Sequence, residues 1–274
     1  MQEVKKKEQT PLATLKDLIS RNREFDIIDL FSDMHPADIA DLIDELDEED
    51  RLHLFTLLDV DKASDVILEL SDNSREQLIE DLSNEQLTDI IEEMESDDKA
   101  DIIAELSDDQ AKAVLDAIEP EESQEVKELL RHPEDTAGGI MQSELVSVGK
   151  QATINDAFQA VVDAKDDMEN IHNIFVVDDE NKLVGTVPLQ RLITMKRFTP
   201  IVDVIDGNIP SVRADMDQEE VARLFKKYDL VSAGVVDADN HLLGRITIDD
   251  VVDAIQEETS EDIYRIAGLG YNDT

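Results

Sequence analysis

Leu82-Ser-Asn-Glu-Gln-Leu-Thr-Asp-Ile-Ile-Glu-Glu-Met94 and Leu106-Ser-Asp-Asp-Gln-Ala-Lys-Ala-Val-Leu-Asp-Ala-Ile118 are two versions of one pattern, set 24 residues apart. In both, a serine stands three residues before a glutamine, the spacing at which side chains and backbone amides cap each other at a helix start. The interval runs further. Leu46, Leu70, Met94 and Ile118 share one register, and Leu58, Leu82, Leu106 and Leu130 share another. Ile43, Ile67, Ile91 and Leu115 form a third, and Leu54, Leu78, Ile102 and Val126 a fourth. Each unit therefore holds two helices of about ten residues, too short to persist alone in water, so neighbouring units must stack along a shared apolar seam. This predicts an N-terminal segment over 1–19 and an α-helical superhelix over 20–132.

Pro133-Glu-Asp-Thr-Ala-Gly-Gly139 ends the pattern. A proline and two glycines there predict a helix stop and a hinge with access to unusual backbone angles. Beyond it a second repeat begins, with a period of about 59 residues. Val176-Val-Asp178 leads through Leu183 and Gly185 to Leu192-Ile193, and Val235-Val-Asp237 leads through Leu242 and Gly244 to Val251-Val252. Each copy reads as two strands flanking a polar turn and running into a helix, with an amphipathic helix before them near 154–166 and 217–228. The expected class is α+β and multidomain, with β-α-β modules over 138–200 and 201–258 and a helix beginning over 259–274.

The 274 residues include 68 acidic against 25 basic ones, a formal charge of -43. Such a surface repels nucleic acid and anionic lipid and attracts cations. With no cysteine, a metal site would use hard oxygen ligands. No apolar run approaches the ~20 residues of a membrane helix, and the Lys5-Lys6-Lys7 start lacks the apolar core of a signal peptide. His35, His53, His132, His172 and His241 show no paired spacing. Asp59, Asp61 and Asp65 fail as a calcium loop, because Ala63 and Ser64 stand where an oxygen ligand and a glycine are needed. No catalytic constellation is present, so an enzyme is not expected.

The doubled strand, Asp turn, Leu-x-Gly, strand and helix resembles the CBS module, modules of which usually pair and often bind an adenine nucleotide. That family's ribose contact, a Thr or Ser followed three residues later by Asp, matches Thr247 and Asp250. The first copy has Pro188 and Arg191 instead, which limits the expectation to one ATP or AMP site per chain. The order of parts is more specific. An acidic 24-residue helical repeat, Pro133-Glu-Asp-Thr-Ala-Gly-Gly-Ile-Met141, two CBS copies and the tail Glu257-Glu-Thr-Ser-Glu-Asp-Ile263 together resemble the cytosolic region of MgtE-type magnesium transporters.

That resemblance implies a homodimeric regulatory region at the cytoplasmic face of the cell membrane, joined in the full-length protein to its own transmembrane domain. It also implies that Mg2+ bound at acidic interfaces closes the pore. The implied metal ligands are Glu219, Asp229, Asp250, Glu258, Glu261 and Asp262, with a backbone carbonyl from Gly139; on the helical-repeat side, clustering singles out Asp97, Asp98 and Asp101. The residues themselves fit a cation. Asp249, Asp253, Glu257 and Glu261 recur at intervals of four, where like charges on a helix repel by a few tenths of a kcal/mol per pair. Mg2+ suits such a surface because it keeps several waters and needs only one or two carboxylates. The alternative is a CBS pair that senses an adenine nucleotide through Thr247 and Asp250.

Overall fold

The structure, a computed structural model, describes residues 10–165, 168, 170–207 and 210–267, with backbone alone for 257, 258 and 260–267. Ten helices come first: α1 Pro11–Ser20, α2 Glu24–Ser32, α3 Pro36–Asp44, α4 Glu48–Phe55, α5 Val60–Glu69, α6 Asp72–Asp81, α7 Asn84–Glu92, α8 Ser96–Glu105, α9 Asp108–Ala117 and α10 Pro120–Leu129. From α3 onward their starts keep the 24-residue period, at 36, 60, 84 and 108 for one set and 48, 72, 96 and 120 for the other. Both expected capping boxes form. Ser83 and Ser107 accept from the amides of Gln86 and Gln110, whose side-chain oxygens accept in return from the serine amides.

The chain divides into two compact units, one of residues up to Met94 with Ile102–Ile118, the other of Glu95–Asp101 with everything from Glu119 on. In the first, α3 packs on α5, α5 on α7 and α7 on α9, while α4 packs on α6. This alternation is what a superhelix of two-helix units requires. The registers explain it: Ile43, Ile67 and Ile91 are fully buried, as are Leu54 and Leu78. The Leu58 register fades at its end, where Leu130 is 40% exposed. Helix α1 starts at Pro11 behind a Thr10 cap, inside the 1–19 segment, and pairs with α2, which starts 24 residues before α4.

The second unit carries two three-stranded sheets. The first is built from β1 Ser147–Gly149, α11 Ile154–Asp163, β2 Asn173–Val177, β3 Leu183–Pro188 and α12 Leu189–Thr194. The second repeats it as β4 Val212–Arg213, α13 Gln218–Tyr228, β5 Ser232–Val236, β6 Leu242–Thr247 and α14 Ile248–Ala267. In each sheet the central strand pairs parallel on one side and antiparallel on the other. Ile154, Ile174, Val176, Val187 and Ile201 centre one core cluster. The copies face each other through their turns: Leu183 N donates to Asn240 O and Leu242 N to Asn181 O, both at 3.0 Å. Asn181 and Asn240 reach those positions with φ of 61° and 70°, a conformation asparagine tolerates better than most residues.

The expected hinge segment is held by contacts. Ala137 N donates to Met216 O at 2.7 Å and Gly138 N to Ala214 O at 2.9 Å, so the segment is tied to the second module. Neither Gly138 nor Gly139 adopts a left-handed backbone. Close approach is what demands glycine: a Cβ on Gly138 would meet the His132 ring at 2.4 Å, and one on Gly139 would meet Pro133 O at 2.5 Å.

Candidate functional site

The β6–α14 junction aims its acids by a cap. Thr247 closes β6, and Asp250 Oδ2 accepts from its amide and its hydroxyl, both at 2.8 Å. This capping-box geometry holds the Asp250 carboxylate at the first turn of α14, and Thr247 itself is buried. Beside it, Gln142 exchanges backbone hydrogen bonds with Arg245, Gln142 N to Arg245 O at 2.8 Å and Arg245 N to Gln142 O at 2.9 Å. Gln142 thereby extends the edge of β6, and its Nε2 reaches Asp250 Oδ1 at 3.4 Å and Glu95 Oε2 at 2.9 Å. Glu95 is also 3.3 Å from Arg245 Nη2.

Glu95 precedes the first turn of α8, which brings Asp97 and Asp98 to the same place. Ser96 anchors that turn, donating to Glu144 Oε2 at 2.6 Å and accepting from Ser143 N at 2.8 Å. Lys99 pairs with Glu122 at 2.9 Å. Asp97 is 6% exposed, and its Oδ1 is buried with no hydrogen-bond partner. Burial, then the charges of Asp98 and Asp250, raises its carboxyl well above the usual range. Burial also pushes Asp98 up to about 8, helped by Asp101, Asp250, Glu95 and Asp253. Asp250 is raised by burial too, against the opposing hydrogen bonds from Thr247. Carboxylates that resist ionisation first because they are buried, and for Asp97 and Asp98 also because other acids are near, form a group whose charge a cation would relieve.

Of the residues expected from sequence, the structure brings Asp97, Asp98 and Asp250 together, with Asp101 exposed alongside and close enough to raise Asp98. Glu219 and Asp229 belong to the two ends of α13. Glu219 is in the first turn of α13, paired with Arg223, and Asp229 caps the opposite end with φ of 50°. Helical rise puts about 15 Å between them, so one ion cannot use both. The Gly139 turn sits by the Glu219 end, where Thr136 bridges to Asp217. The side chains of Glu258, Glu261 and Asp262 lie outside the described residues. Sequence reasoning missed Glu95, Gln142 and Arg245 as members of the group, and had Asp253 only as one of the acids repeating along α14. Among the described residues, ligand atoms of three such side chains meet within 4.8 Å at Asp237, Asp239 and His241. There, however, the Asp237 carboxylate shapes the β5–β6 turn, accepting from the amides of Asp239 and His241 at 2.8 Å.

Comparison with known proteins places this arrangement. The family described as MgtE intracellular N domain matches residues 34–135, and the CBS domain family matches 137–196 and 201–257. The crystal structure of the cytosolic domain of the Mg2+ channel MgtE in complex with ATP is 33% identical with a TM-score of 0.83, covering 88% of this chain and 99% of that one. The chain belongs to the MgtE cytosolic-domain family. The soluble part of a magnesium transporter is similar at 32% identity and a TM-score of 0.79, over 90% of this chain and 97% of that one. The magnesium transporter MgtE of Enterococcus faecalis is 39% identical over 148 residues, and that of Thermus thermophilus 38% over 149; either match takes in 54% of this chain and 33% of the relative. The chain thus spans about a third of the length of the curated MgtE relatives it matches. Among the described residues, no helix is long and apolar enough to cross a membrane.

Proposed function

We propose that this chain is the Mg2+-sensing regulatory region of a magnesium transporter, and that Asp97, Asp98 and Asp250, with Glu95, Asp101 and Asp253 around them, are its sensing carboxylates. The observation that carries this is a desolvated acid group containing a buried oxygen, Asp97 Oδ1, that no protein donor satisfies. The donor set suits a hard, hydrated ion: carboxylates and the unpartnered Gln142 Oε1. No three of these acids converge as a ready-made cage, which fits an ion that keeps water between itself and some of its ligands. Magnesium would supply charge neutralisation. The chain's own part is to hold residues 95–101 against the β6–α14 junction, a placement that carboxylate repulsion opposes. In the full-length protein that placement would favour a closed pore in the chain's own transmembrane domain, at the cytoplasmic face of the membrane, with Mg2+ also the transported ion.

The same reading divides the chain at 20–132, 138–200 and 201–258, pairs it as a homodimer through its CBS modules, and gives it no catalytic activity. Glu219, Asp229, Gly139, Glu258, Glu261 and Asp262 remain proposed ligands of further ions. The test is Mg2+ titration by calorimetry and thermal melting at constant ionic strength, with sodium as the matched control. The Asp97→Asn/Asp98→Asn double variant is expected to lose most of the Mg2+-specific stabilisation. A wild type that responds alike to both salts would overturn the reading, because screening alone would then account for it. A second reading, adenine-nucleotide sensing, is favoured by the similar MgtE structure in complex with ATP. Thr247 and Asp250 are its residues here, although both are engaged in capping α14.

A further inference from the structure

Arg245 stands among these carboxylates as a cation built into the sheet. Its side chain is 3% exposed; Nη2 faces Glu95 Oε1 at 3.3 Å, Nη1 donates to the carbonyl of Asn170, and Nε is buried without a partner. The sheet itself does not call for it. The equivalent position in the first module is Thr186, which faces Phe175 across β2 and β3 as Arg245 faces Gly234 across β5 and β6. A threonine therefore fills this strand position in one copy and a guanidinium in the other, and the difference lies beside the acid group.

The contacts of Arg245 converge on one carboxylate. Glu95 accepts from Arg245 through Oε1 and from Gln142 Nε2 through Oε2, and Gln142 is held in register with Arg245 by the paired backbone bonds. Ser96, the next residue, is held by Glu144 and Ser143. These bonds run between protein groups, and they fix the two residues immediately before Asp97 and Asp98.

We propose that Arg245, acting through Glu95 and with Gln142, is a metal-independent clasp that positions Asp97 and Asp98 against Asp250 and so sets the magnesium concentration at which the group responds. The set-point half of this rests on the preceding reading of the carboxylates as the magnesium site. The physical link is a population. An ion that binds the seated arrangement has an apparent dissociation constant equal to the intrinsic one divided by the seated fraction. Acid repulsion lowers that fraction and the Arg245–Glu95 ion pair raises it. Arg245 is thus a positioning residue.

The experiment uses the full chain and compares wild type, Arg245→Met, Glu95→Gln and the double variant. Hydrogen exchange is read in chelator, and Mg2+ midpoints are read at constant ionic strength. Either single variant should lose at least about fivefold amide protection over 95–101 while β5 and β6 keep theirs, and its Mg2+ midpoint should rise by about threefold or more, following the seated fraction. The double variant should lose no more than the worse single one, because both substitutions remove the same ion pair. Glu95 is partly exposed, so Glu95→Gln carries the protection test in chelator if Arg245→Met fails to fold, while the set point is read from Arg245→Met or, failing that, Arg245→Lys. Unchanged protection over 95–101 in Glu95→Gln overturns the clasp, and lost protection with an unchanged midpoint overturns its role in the set point. If wild type shows no Mg2+-specific response, the magnesium reading fails instead, and the protection measurement in chelator still decides the clasp.

Discussion

Replacing Asp98 by Asn should stabilise the metal-free protein, which is the reverse of what removing a polar contact usually does. Burial and the charges of Asp101, Asp250, Glu95 and Asp253 hold the Asp98 carboxyl up to about 8, against an ordinary value of 3.8. The sign follows from linkage. Above about pH 4 the unfolded chain releases this proton, while the folded chain keeps it until about pH 8, so the folded state binds more protons across that window and loses stability as pH rises through it. At roughly 1.4 kcal/mol per pH unit, the penalty accumulated by pH 7 reaches about 4 kcal/mol. Asn has no proton to hold and removes it. Small movements of residues 95–101 relieve part of the strain, so a gain of about 1–4 kcal/mol is expected, at about 2–4 °C of Tm per kcal/mol for a domain of this size. The assay is thermal melting in chelator at pH 5, 7 and 8.5. Wild type should lose stability from pH 5 to 8.5 and Asp98→Asn much less, with the two converging near pH 4. Saturating Mg2+ should narrow the gap at pH 7, since an ion favours the ionised carboxylate. A variant no more stable than wild type at pH 7 in chelator, with a parallel pH profile, would refute the argument.

Two further outcomes test the scaffold and the rival ligand. Gly244→Ala should destabilise by about 2–4 kcal/mol, because the new Cβ would meet Gln142 O at 2.4 Å and force apart the Gln142–Arg245 exchange. Gly149→Ala, where a Cβ meets nothing within 4 Å, serves as the control in the same melts and should be neutral or slightly stabilising. Calorimetry with ATP should find no more than one site per chain, since Pro188 and Arg191 replace the Thr and Asp of the second module; two equivalent sites would refute the motif argument.

The helical architecture was legible because its determinants are local. Ser83 with Gln86 and Ser107 with Gln110 announce helix starts within four residues, and a 24-residue apolar period needs only counting. The β repeat was legible for the same reason, each Val-Val-Asp run being strand and turn together. What the chain alone did not reveal is why Gly138 and Gly139 are glycines. Two adjacent glycines look like freedom when only the chain is visible, yet here they mark contact, with His132, Pro133 and Ala214 so near that no side chain fits. Composition cannot distinguish a glycine that must move from one that must be small. The boundary at residue 20 cut through α1, although Ile19 and Leu30 stand 24 residues before Ile43 and Leu54 and so continue the same register.

The acid group shows a sharper limit. The clustering of Asp97, Asp98 and Asp101 is visible in the chain, and Asp250 is visible as the acid of a helix-start motif. Their proximity is not, because some 150 residues separate Glu95 from Arg245. The neutral and cationic members carry no signal at all: Gln142 belongs to the group only because it pairs with Arg245 across a strand edge, and a single arginine in β6 reads as an ordinary strand residue. The acids supply the charge that a cation relieves, but repulsion alone would drive them apart, so the group can exist in a metal-free protein only if something else holds it. Here that is the Thr247 cap on Asp250, the Ser96 anchor on α8 and the double grip on Glu95. A sensor needs such balance, since carboxylates held too weakly would not assemble at any useful ion concentration and carboxylates neutralised fully would have nothing left to detect.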